Sequence, residues 1–194
     1  MNHRLVLLHG WGADADDLRP LGRSLSDLHA SSLEVIALDA PHPHPETDGR
    51  QWYGLFPARW DEVPDAVAEL KDRLLKLDGG TEALQSTVLF GFSQGGAMAL
   101  NCGCDLPLAG VISCSGYPHP DWQPGQTHTD VLLLHGKQDN IVPIEAIDAI
   151  WDRLNKDRRE RMVFDDGHTI PQSAVPLLSK TLERMLPNSL SSER

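Results

Sequence analysis

Ser93 lies in Gly91-Phe92-Ser93-Gln94-Gly95, a G-x-S-x-G pattern. A serine hydroxyl is a weak nucleophile until a base takes its proton and the backbone presents its oxygen. This pattern presents it on a strained strand-to-helix turn. The two glycines are required because side chains there would meet the neighbouring strand and helix. The flanks agree with that geometry. Thr87 to Phe90 reads as an apolar strand, and Gln94-Gly95-Gly96-Ala97-Met98-Ala99-Leu100 reads as a helix of small and apolar residues. The turn sets the serine oxygen at the carboxyl edge of a sheet, beside the positive end of the following helix.

An activated serine needs a base, and the base needs an orienting carboxylate. In a parallel sheet these groups belong in loops after strand carboxyl ends. With a serine elbow they follow in the order serine, acid, histidine. Asp139 comes just after the apolar strand Val131 to His135, and His168 just after the strand Arg161 to Phe164. Other candidates are placed less well. Asp130 precedes its strand. Asp165 and Asp166 adjoin His168 but leave Asp139 without a role. His135 precedes Asp139, and His119 and His128 sit in the loop after the strand that ends at Ser113.

Acyl chemistry also needs donors for the oxyanion. The backbone N–H of Gln94 is one, and His9-Gly10-Trp11-Gly12, after the first strand, supplies the N–H of Trp11 as the second. The same turn reads as a second motif. Gly10-Trp11-Gly12-Ala13-Asp14-Ala15 fits the dinucleotide pattern G-x-G-x-x-A, with Asp39 at the end of the next strand for a ribose. Asp14, Asp16 and Asp17 oppose that reading, because they crowd a helix N-terminus where a pyrophosphate needs positive potential.

These groups require a scaffold of strands that end at one edge. Strands are expected at Arg4–Leu8, Leu33–Leu38, Thr87–Phe90, Leu108–Ser113, Val131–His135 and Arg161–Phe164. Helices are expected over about 16–28, 63–77, 94–102, 144–155 and 172–185, several with an apolar stripe such as Leu18, Leu21, Leu25 and Leu28. Gly79-Gly80 stops the second. The strands are apolar runs, which points to a mostly parallel sheet covered on both faces. Asp39 to about Trp60 is a long loop whose prolines oppose regular structure. Its Trp52, Tyr53, Phe56 and Trp60, with Trp11 and Trp122, form either an acyl pocket or packing for the loop. No internal repeat or linker divides the chain, so residues 1–186 form one domain and 187–194 a polar tail.

The chain has 194 residues, 40% hydrophobic and 23% charged, with a net charge of -11. That balance opposes binding to nucleic acid and to anionic membrane surfaces. No apolar run is long enough to span a membrane, and Leu5 to Leu8 is too short for a signal-peptide core. Three cysteines, Cys102, Cys104 and Cys114, in no framework spacing suggest core thiols and a cytoplasmic location. His42 and His44 lack further ligands at useful spacing, so a metal is not expected.

Taken together, Leu8-His9-Gly10-Trp11-Gly12, Gly91-Phe92-Ser93-Gln94-Gly95-Gly96, Ser115-Gly116-Tyr117-Pro118, His135-Gly136 with Asp139 and Val142-Pro143, and Gly167-His168 resemble the phospholipase/carboxylesterase family of small serine esterases, which includes the acyl-protein thioesterases. The resemblance covers nearly the whole chain. It implies an α/β-hydrolase fold, a Ser93–Asp139–His168 triad, and hydrolysis of small-molecule esters or thioesters without a cofactor. Arg50-Gln51-Trp52-Tyr53 resembles the family's basic-aromatic segment near the acyl site. A homodimer is compatible with the sequence, as are a non-catalytic role, acyl transfer or perhydrolysis on the same fold. The oxyanion turn follows the very first strand, which leaves little chain for the two early strands of fuller hydrolases. A shortened sheet and a shallow, open site are therefore expected.

Overall fold

The computed structural model describes residues 3–187, so all but the first residue of the 187–194 tail lies outside the described residues. Six strands form one parallel sheet: β1 (His3–Leu8), β2 (Leu33–Leu38), β5 (Thr87–Phe92), β6 (Gly110–Cys114), β7 (Val131–Gly136) and β8 (Arg159–Phe164). Their spatial order is β2-β1-β5-β6-β7-β8. The chain thus leaves β1 toward one edge, then returns past it to build the rest of the sheet in the other direction. The crevice between β1 and β5 is the point where this direction reverses, and in such sheets ligands bind there. No strand precedes β1 among the described residues, so the expected shortening is present.

Alternate residues of each strand feed two separate cores. Leu5, Leu7, Val88, Phe90, Ile112, Leu132 and Leu134 face α1 (Ala15–Leu28) and α6 (Val175–Met185), meeting Leu18, Leu25, Leu178 and Leu182. Val6, Leu8, Leu89, Val111 and Leu133 face the other way. They meet α2 (Val63–Leu75), α3 (Gly80–Leu84), α4 (Gln94–Gly103) and α5 (Glu145–Trp151). Apolar residues at every strand position are thus explained by helices on both faces.

Several local expectations need correction. The 39–60 loop is not free of regular structure, because β3 (His42–Pro43) pairs antiparallel with β4 (Arg50–Gln51). Proline lacks an amide hydrogen but its carbonyl still accepts, so a two-residue edge ladder tolerates Pro43. The helix expected to reach Leu77 and stop at Gly79-Gly80 ends earlier, at Leu75 with Lys76 as its cap, and a further short helix, α3, begins at Gly80 itself, with Gly79 in the left-handed region at φ 90°. The helix expected over 144–155 ends at Trp151, and a short tight turn at Lys156–Arg158 follows it.

The elbow is held by contact. A Cβ on Gly91 would strike the Gly95 carbonyl, and a Cβ on Gly95 would strike the carbonyls of Leu8 and His9. The blocking atoms are backbone atoms of β1 and α4, which cannot swing aside as a side chain could. Gly95→Ala is therefore expected to lower the melting temperature by 10 °C or more, or to prevent folding, with thermal denaturation as the check. A variant as stable as wild type would contradict this account of the packing.

Candidate active site

Ser93 sits between β5 and α4 with φ 55° and ψ -118°, a conformation that costs a non-glycine residue about 1–3 kcal/mol. Two hydrogen bonds hold it there: its N–H donates to the Cys114 carbonyl at 2.9 Å, and its carbonyl accepts from the Ala97 N–H at 3.1 Å. His168 follows β8, and its Nε2 lies 3.0 Å from Ser93 Oγ. Its Nδ1 lies 2.7 Å from Asp139 Oδ2. The three side chains chosen from sequence are thus joined in one line across the loops that follow β5, β7 and β8.

Asp139 is fixed more firmly than a turn aspartate. Its Oδ1 accepts from the Ile141 and Val142 amides at 3.0 and 2.9 Å. Burial alone would raise its pKa, but the bonds from His168 and from the Val142 and Ile141 amides reverse this and hold the carboxyl below the ordinary value. It is therefore ionised at neutral pH, as a group that stabilises an imidazolium must be.

Each rejected candidate has another task. His135 Nε2 donates to the Val142 carbonyl at 2.9 Å and so braces the turn that carries Asp139. His128 accepts the Asn155 amide at 2.9 Å. His119 lies in a buried network with Tyr53 (2.8 Å) and Asn101 (2.8 Å), and Tyr53 also meets the Tyr117 hydroxyl at 2.7 Å. Asp130 pairs with Arg158, and Asp165 with Lys137. Burial pushes the thiols of Cys102, Cys104 and Cys114 up to about 12, so none is a nucleophile at neutral pH.

The turn after β1 packs directly on the nucleophile: a Cβ on Gly10 would lie 3.3 Å from that of Ser93. Trp11 is the next residue in that turn, while Gln94 opens α4, where the first amides have no intrahelical partner. The dinucleotide reading fails on the same turn. Asp14 and Asp17 cap α1 reciprocally, and Asp39, assigned there to a ribose, accepts the Ala15 amide at 2.9 Å. The helix terminus already holds its anions.

The loop aromatics divide. Trp52 and Tyr53 are 1% and 0% exposed and belong to the core, as does Trp122. Phe56 and Trp60 are 71% and 40% exposed. Phe56 stacks edgewise on Trp11 at 5.0 Å, and Trp60 lies 6.3 Å from Tyr117. The Arg50 guanidinium faces no ligand space; it donates to the Ala40 and Pro41 carbonyls and pins the loop. His44 accepts the Glu46 and Thr47 amides at 3.1 Å, and His42 is exposed. Among the described residues, no cluster of three or more His, Cys, Asp or Glu could hold a metal. What sequence reasoning missed is that Tyr117 and His119 both bond to the Tyr53 hydroxyl. Only their position after β6 could have signalled it.

A cleft of about 810 Å³ lies along the outer side of the loop, lined by His42, Phe56, Asp61, Glu62 and neighbours, and no triad residue lines it.

The profile of the phospholipase/carboxylesterase family matches residues 2–186. The chain belongs to that family. It is accordingly a hydrolase of the carboxylesterase and thioesterase type, on the α/β-hydrolase fold. Among solved structures, esterase PE8 is similar at 27% identity and TM-score 0.82, over 95% of this chain and 93% of that one. Acyl-protein thioesterase 2 of Zea mays is similar at 18% identity and TM-score 0.74, over 95% and 94%. A carboxylesterase from Mesorhizobium loti is similar at 18% identity and TM-score 0.72, over 93% and 88%. No curated protein sequence matches the chain. Among the described residues, no helix is long and apolar enough to cross a membrane.

The buried histidines set the acid stability. Burial pushes His119 down to about 4 and lowers His9 and, with help from neighbouring His29, His3. Their folded pKa values lie below the unfolded value of about 6.5, so as pH falls the unfolded chain binds protons first. The stability these three groups contribute is expected to be fully present above about pH 6.5 and to be lost as pH falls toward 4, with His119 alone worth about 3 kcal/mol at the lower limit. Urea denaturation at pH 7 and pH 4.5 should show the fall, and a smaller one in His119→Gln. Equal midpoints at both pH values would refute it.

Proposed function

We propose that this hydrolase cleaves carboxylic esters, including thioesters, of short acyl chains by a serine mechanism. The observation that carries the reading is the unbroken line Ser93 Oγ–His168–Asp139 at the crevice between β1 and β5. His168 takes the Ser93 proton as the oxygen attacks the carbonyl. Asp139 keeps the proton on Nδ1 and stabilises the imidazolium. The Trp11 and Gln94 N–H groups receive the oxyanion, and His168 returns the proton to the leaving alcohol or thiol. The same histidine then activates water against the acyl-enzyme, releasing the acid. No step needs a metal or organic cofactor. Short acyl chains are favoured because the large cleft does not open onto the triad.

Hydrolysis of p-nitrophenyl esters from acetate to palmitate tests this directly. Wild type should prefer the short end, and Ser93→Ala should lose at least 10³-fold in kcat. Asp139→Asn should lose about 10³- to 10⁴-fold with KM nearly unchanged, because it leaves the imidazole in the wrong tautomer. Full activity in Ser93→Ala would end the serine mechanism, and a maximum at palmitate would end the short-chain claim.

A further inference from the structure

Trp52 is buried beside the crevice, but its polar atoms do not face it. Its indole Nε1–H donates to the His9 carbonyl at 3.0 Å. Its backbone N–H donates to Gln94 Oε1 at 3.0 Å, and Gln94 Nε2 donates to the Tyr53 carbonyl at 2.9 Å. The Gln94 side chain is therefore fully engaged by residues 52 and 53, while its backbone N–H is one proposed oxyanion donor.

The other donor is held from the same side. The Ala40 amide donates to His9 Nε2 at 3.0 Å, so that nitrogen carries the lone pair and Nδ1 carries the hydrogen. His9 Nδ1–H then donates to the Gly10 carbonyl at 2.7 Å. In a trans peptide the carbonyl and the following N–H point in opposite directions. Anchoring the Gly10 carbonyl on the imidazole thus aims the Trp11 N–H away from it, and the Trp52 bond to the His9 carbonyl fixes the preceding peptide.

We infer that Trp52 is a positioning residue that ties the two halves of the oxyanion hole together, through His9 on one side and the Gln94 side chain on the other. It sets the spacing of two backbone donors that otherwise belong to different loops. Electrostatic stabilisation of an oxyanion depends on donors fixed before the reaction, so loosening this tie weakens transition-state binding and leaves ground-state binding intact. The inference rests on the serine mechanism proposed above, which Ser93→Ala tests separately.

Trp52→Phe removes the indole donor and keeps most of the buried ring. Its kcat should fall about tenfold or more on every p-nitrophenyl ester, with KM within about twofold of wild type at each chain length. Affinity for an aryl boronic acid, whose tetrahedral serine adduct places an oxygen in the hole, should fall by a similar factor. A KM that rises with acyl length at unchanged kcat would overturn the inference and make Trp52 a pocket wall. Unchanged kcat and boronate affinity would overturn it too. Should Trp52→Phe fail to fold, the neutral, near-isosteric Gln94→Met keeps the backbone donor and removes both side-chain bonds, to the Trp52 amide and the Tyr53 carbonyl. The same split between kcat and KM is expected of it, and wild-type kcat would count against the tie.

Discussion

The structure depends on how closely α4 and the elbow approach β1. Gly95 rests against the Leu8 and His9 carbonyls, and Gly10 rests against Ser93. This contact exists only because three backbone segments meet without side chains. It decides where the helix starts, which way Ser93 points and how near the oxyanion turn stands to it. The positive φ of Ser93 is strain that an isolated turn would relax. Here the parallel ladder on both sides of β5 and the Cys114 carbonyl hold it in place.

Polar groups around that contact are buried, and burial makes each one costly unless it is bonded. The fold meets this demand with chains of bonds instead of isolated pairs. His135 braces Val142, Val142 braces Asp139, and Asp139 orients His168. His119, Tyr53, Tyr117 and Asn101 form a second such chain behind β6. In that second chain burial lowers His119 to about 4, so at neutral pH it serves as a fixed neutral donor and acceptor and makes the fold sensitive to acid.

Much of this was legible because the information is local. A strand, a glycine turn and a helix are written in consecutive residues, so the elbow and the loops carrying Asp139 and His168 could be read one at a time and ordered by topology. The 39–60 loop was not legible in that way. Its structure depends on partners far along the chain: Trp52 on His9 and Gln94, Tyr53 on His119, Arg50 on Ala40 and Pro41. An aromatic residue in a proline-rich segment looks the same whether it lines a pocket or fills a core. Only the position of its polar atom against a distant carbonyl separates Trp52 from Phe56. The short helix α3 was missed for a related reason, since Gly79-Gly80 reads as a helix stop but here opens a helix, after α2 has already ended at Leu75.

The trimmed loops also bear on what the site can accept. Phe56, Trp60 and Ile141 are exposed apolar groups on loops that follow the carboxyl ends of β2 and β7. The outer cleft that Phe56 borders is lined by Asp61, Glu62, Asp65 and Glu69 against Arg59 alone, on a chain of net charge -11. That field opposes anions in the cleft itself. A cleft that none of Ser93, His168 and Asp139 lines cannot enclose an acyl chain bound at the nucleophile, so under the proposed mechanism the rate rests on donors fixed there and not on enclosure.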